Sequence, residues 1–167
     1  MSDIVTQLRA RRDQLAAERT EHFDIPGFPG MVAMVQALPY TRAVELVANA
    51  GSVPGTRAEV AAADALIAEA TVALFFRTDS GELQPLREWL EPQITDPEIT
   101  TAIGSHGGAP MRFDDRLAAV FGILADGAAK VVAGVLPNEF ARVSLGRQIK
   151  DWIETAHQGL GPLTVGE

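Results

Sequence analysis

Phe113-Asp114-Asp115-Arg116 places two adjacent carboxylates and a guanidinium directly before an apolar run, with His106 in the Gly-rich stretch upstream. Neighbouring carboxylates can hold a divalent cation, or share acid/base work with an imidazole. Acidic residues also open helices, where they accept from free backbone N–H groups and face the positive end of the dipole. Adjacent residues at a helix start project in different directions, which favours capping over a shared site. Asp126 and Asn138 precede later apolar periods and are read as caps in the same way.

The other candidate chemistry is equally sparse. His22, His106 and His157 are scattered, and neither HxH nor HExxH occurs, so no metal site is expected. "GSHGGAP" is rich in Gly but lacks the Lys-Ser/Thr ending of a phosphate-cradling loop. Ser105 and Ser144 have no G-x-S-x-G context, and the chain has no Cys. Trp89, Trp152, Phe113, Phe121 and Phe140 are read as core aromatics, with a partner groove as the alternative. We expect no enzyme, no cofactor and no metal.

The elements that would position these residues belong to a chain of 167 residues, long enough for one domain with a real core. Its formal charge of −8 repels phosphate backbones and anionic lipid, which argues against nucleic-acid and membrane-surface binding. Arg9, Arg11, Arg12 and Arg19 are offset by Asp3, Asp13, Glu18 and Glu21, so no basic arm is expected. Without Cys, a signal-peptide core or a long apolar run, the expectation is a soluble intracellular protein.

Residues 1–22 read as an amphipathic helical arm with a thin seam of Ile4, Leu8 and Leu15. A single, mostly helical domain is expected over 23–157 and a flexible tail over 158–167. "EHFDI" and "MVAMVQ" suggest a small hairpin across "PGFPG", followed by a helix from Thr41 to Ala50 stopped by Gly51. Thr56 and Glu59 form a capping box before an Ala-rich helix that buries Val60, Leu66 and Ile67. "TVALFFRTDSGELQPL" reads as a hairpin over 71–86, in which Pro85 makes an edge strand. Beyond Asp114, Leu117, Val120, Phe121 and Leu124 share one helical face, and Val131, Val132, Val135 and Leu136 another. A last helix after Pro137-Asn138 carries Leu145, Ile149, Trp152, Ile153 and Ala156. The fold class is mainly α (α+β), a helical domain with a small β-hairpin or short antiparallel sheet.

The order "GELQPL", "MRFDDRLAAVFGI", "AAKVVAGVLPNEFARVSLGRQIKDW", with "LRARRDQLAAERTEHFDIPGF" before it, resembles the tail assembly chaperones of long-tailed (siphovirus-type) phages of actinobacteria. The resemblance covers roughly residues 5–155 and carries no catalytic residue. It implies a host-cytoplasmic assembly factor that coats the tape measure protein before tail-tube polymerisation and is absent from the mature virion. It also implies self-association or a frameshift-extended form, the present chain being the short one. Leu8 and Leu15 of the arm and Leu145 and Ile149 of the last helix are the expected partner-binding positions, core packing explaining the last two equally well. The alternative is a phage structural protein of the head–tail connector or minor tail class.

Overall fold

The Val-rich run forms β2 (Met31–Gln36), and Met31, Val32, Ala33 and Val35 are all buried, as in a strand with no solvent face. The computed structural model describes residues 3–48, 56–124 and 126–158. It arranges β1 (Thr20–Asp24), β2, β3 (Thr71–Arg77) and β4 (Leu83–Pro85) as an antiparallel sheet in that order. β1 turns into β2 through "PGFPG", where Gly30 has φ +91° and a Cβ would lie 3.0 Å from the Phe76 ring. Only glycine meets both demands. β4 is an edge strand, the position in a sheet where a proline such as Pro85 is tolerated.

Helices hold most of the described residues: α1 (Ile4–Glu18), α2 (Tyr40–Ala48), α3 (Arg57–Ala70), α4 (Leu86–Leu90), α5 (Pro97–Gly104), α6 (Asp115–Phe121), α7 (Ala128–Val135) and α8 (Glu139–Gln158). A 3₁₀ turn, Glu91–Gln93, follows α4. The fold is therefore α+β, with helices predominating and a small antiparallel sheet. The expected helix stop at Gly51 and the tail from residue 159 lie outside the described residues.

Local signals are answered one by one. Thr56 Oγ1 accepts from the Glu59 N–H at 3.3 Å, while the Glu59 carboxylate turns to Arg147 of α8 at 2.6 Å instead of closing the box. Asn138 Oδ1 accepts from the Ala141 N–H at 3.2 Å. Asp126 does not cap α7: Gly127 holds that position at φ +103°, and Asp126 pairs with Lys130 one turn on. Leu124 does not share the α6 face, because left-handed Gly122 ends the helix after Phe121 and leaves Leu124 fully exposed. Phe140 is no core aromatic; at the start of α8 it is 87% exposed. Val60 is only half-buried.

The core joins Met31, Ala33, Val35 and Leu74 of the sheet to Leu66 and Ile67 of α3, Leu117 of α6, Val131, Val132 and Val135 of α7, and Leu145, Ile149 and Ile153 of α8. The Ala-rich face of α3 allows a close crossing with α8, where a Cβ built on Gly146 would stand 2.8 Å from the Ala63 Cβ. Helix propensity favours Gly146→Ala, and the clash opposes it. Gly146→Leu removes that ambiguity. It should lower stability by ~1–3 kcal/mol; a denaturant midpoint equal to that of the parent would contradict the close crossing.

Candidate functional site

Asp114 is the N-cap of α6: its Oδ1 accepts from the Arg116 N–H at 3.0 Å. The same carboxylate takes the Arg116 guanidinium, with Nη2 to Oδ2 at 2.6 Å and Nε to Oδ2 at 3.2 Å. Arg116 is 1% exposed, and its remaining donors reach the carbonyls of Ala109 at 2.8 Å and Pro110 at 2.6 Å. Every donor directed into the interior therefore has a partner, and the guanidinium clips the irregular approach to α6. Asp115 points elsewhere and pairs with His106 Nε2 at 2.6 Å on the surface. The two carboxylates thus serve different neighbours, and among the described residues no group of three or more His, Asp or Glu is arranged to hold a metal. His22 lies on β1 with its ring edge against Phe75, 6.0 Å between centroids.

A second buried arginine carries no sequence signal. Arg142 of α8 donates through Nε to Asp64 Oδ1 of α3 at 2.7 Å, and through Nη1 to the Leu136 carbonyl at 2.8 Å. Burial pushes the Asp64 carboxyl above its ordinary range, with the hydrogen bonds and charge of Arg142 opposing the rise. The charge pair lies 78 residues apart in sequence, so no spacing rule finds it.

The described residues form an apolar cleft of about 280 Å³ suited to binding. The β1–β2 turn contributes Phe28, β3 contributes Phe76, α4 contributes Trp89 and Leu90, and α6 contributes Val120 and Phe121. Phe76 and Trp89 stack at 3.8 Å and 12°, and Phe28 meets Phe121 edge-on at 5.5 Å. No titratable side chain lines it. Ligand pockets for small molecules bring convergent polar groups to an apolar wall; here the wall is present without them. Trp89 and Phe121 are half-buried and pack against the core while also lining the cleft, whose chemistry suits aliphatic or aromatic side chains.

The expected partner-binding residues separate. Leu8 is 63% exposed on α1, as are Ile4 and Val5, and every side chain from Asp3 to Arg12 is exposed. The side chain of Leu15 lies outside the described residues. Leu145 and Ile149, expected on an exposed face of the last helix, are instead 1% and 0% exposed. They sit in the core because α8 crosses α3 with that face inward. Exposed apolar positions that periodicity did not select are Tyr40 and Val44 of α2 and Phe140; Leu124, placed on the α6 face by periodicity, is exposed because the helix ends before it. Tyr40 and Phe140 stand in the first turns of their helices, outside any stripe, so their exposure is settled only by the tertiary fold. No helix among the described residues is long and apolar enough to cross a membrane.

Compared with known proteins, the chain matches no family model, no curated protein and no solved structure.

Proposed function

We propose that this protein is a phage tail assembly chaperone that binds the tape measure protein and keeps it soluble in the host cytoplasm before tail-tube polymerisation. The reading is supported by the ordered motifs of the sequence. It is carried by one structural observation: an acidic body displays an open aromatic cleft and uncovered apolar side chains on separate helices. Hydrophobic patches of this kind on a charged surface suit protein recognition. The charge of −8 keeps copies apart and soluble while apolar contacts are made.

A chaperone of this kind holds its client without covalent chemistry, so it requires neither cofactor nor metal. The client is expected to be long and helical, and helices lay apolar faces into grooves through anchors at i, i+3, i+4 and i+7. Tyr40 and Val44, one helical turn apart and both exposed, offer a matching ridge.

Co-expression with the tape measure protein should move that protein into the soluble fraction and bring it down with this chain. A tape measure protein equally insoluble with and without this chain would overturn the proposal. The connector or minor-tail alternative predicts abundant peptides of this chain in purified virions; the chaperone reading predicts their absence.

A further inference from the structure

We infer that the Glu21 carboxylate is an autoinhibitory contact that closes the outer edge of β1 to a further strand. The ladder of the sheet fixes which backbone groups that edge presents. Ile25 donates to the Met31 carbonyl at 2.9 Å, and Ala37 donates to the Arg19 carbonyl at 2.9 Å. Between these bonds, Glu21 stands opposite Val35 and Phe23 opposite Ala33 in the same register. Antiparallel partners alternate between bonded and non-bonded pairs, so residues 19, 21, 23 and 25 direct their backbone groups to β2. Thr20, His22 and Asp24 turn theirs the other way, where among the described residues no strand follows.

A row of outward backbone groups is a template for pairing with another chain. His22 is its middle. The His22 N–H donates to Glu21 Oε1 at 2.9 Å, so the carboxylate stands where the carbonyl of an incoming strand would accept. Residues 21 and 23 share a face of the sheet, the one on which Phe23 meets Trp152 of α8 at 6.1 Å. From that face the exposed Glu21 side chain reaches to the edge.

The other side of the sheet is closed by different means. Arg77 donates to the Gly30 carbonyl at 2.7 Å, and by the same alternation Leu74 and Phe76 turn away from β2. Leu74 donates to the Met111 carbonyl at 2.8 Å, while the Thr71 carbonyl accepts from Arg112 Nε at 2.9 Å. The segment before α6 thus covers the first half of β3. Phe76 pairs with Gln84, and Thr78 donates to the Glu82 carbonyl at 2.8 Å. Gln84 therefore bonds inward and Leu83 and Pro85 face out, where proline has no N–H to offer. Those closures are built into the backbone. The one on β1 is a side-chain rotation away from opening.

Glu21→Thr keeps a strand-forming residue and removes the acceptor. It should dimerise at about a tenth of the concentration the parent needs, roughly the worth of one backbone hydrogen bond. A new intermolecular β-sheet band should appear in its amide I spectrum, with the thermal transition unshifted because Glu21 is exposed. Glu21→Gln retains an acceptor oxygen without the charge and should match the parent. Adding His22→Pro to Glu21→Thr deletes the outward N–H, leaves the ladder to β2 intact and should abolish the gain. Association caused by unfolding would not be rescued by a further proline. Sedimentation and infrared spectra of the four proteins decide. Equal association of E21T and the parent, an equal gain in E21Q, or a gain that persists in the double variant would each overturn the inference. No client is present, and each comparison is with the parent, so the outcome is independent of the chaperone reading.

Discussion

Asp64→Ala should cost about 3–5 kcal/mol, because it leaves the Arg142 guanidinium buried without its counter-charge. Arginine cannot escape by losing its proton. Arg142→Met should cost less at acidic pH, because the stranded Asp64 can become neutral. In the parent, burial already holds the Asp64 carboxyl above its ordinary range despite Arg142. Without Arg142 the lowering influences vanish and the folded-state value rises further. A carboxyl raised in the folded state carries no penalty below the ordinary carboxylate range. Its penalty grows with pH up to the folded value and is constant above it. The stability of Arg142→Met relative to the parent should therefore fall from acidic towards neutral pH. The raised carboxyl also means that the pair does not fully repay its desolvation, so Asp64→Leu combined with Arg142→Met should be near neutral or stabilising by ~1–4 kcal/mol. Urea melts of the three variants at two pH values decide the matter; equal losses in Asp64→Ala and the double variant would refute the account.

Asp114→Ser should be about as damaging, ~3–5 kcal/mol, although serine is an excellent cap. The hydroxyl can still accept from the Arg116 N–H, but it cannot neutralise a guanidinium that is 1% exposed. Asp115→Ser, one residue along, removes only an exposed pair with His106 and should change stability by less than ~1 kcal/mol. Chemical denaturation of the two single variants supplies the comparison. Similar small losses from both would show that Asp114 is merely a cap.

That contrast marks how far sequence reasoning reached. Capping explained Asp114, Asn138 and Thr56 because a cap is a short-range device whose donor and acceptor lie within three residues. The Val-rich apolar run of residues 31–36 and the β-branched and aromatic run of 71–77 disclosed strands for the same reason. The charge neutralisation at Arg116 was not legible, since side-chain burial depends on how 109–113 wraps over α6. Arg142 was further from view, its partner lying on another helix. Leu145 and Ile149 were located on the right helix with partner and core both open, because an apolar stripe states that something covers it and not what. The cleft collects single aromatics from a turn, a strand and two helices, and no periodicity links them.

The two buried arginines also differ in when the chain can make them. Arg116 finds its acceptors within seven residues, so closing those small loops costs little entropy and needs no other element in place. Arg142 meets Asp64 only after a loop of 78 residues has been closed by the docking of α8 on α3. One clip belongs to the earliest local order of the chain; the other fastens the finished molecule.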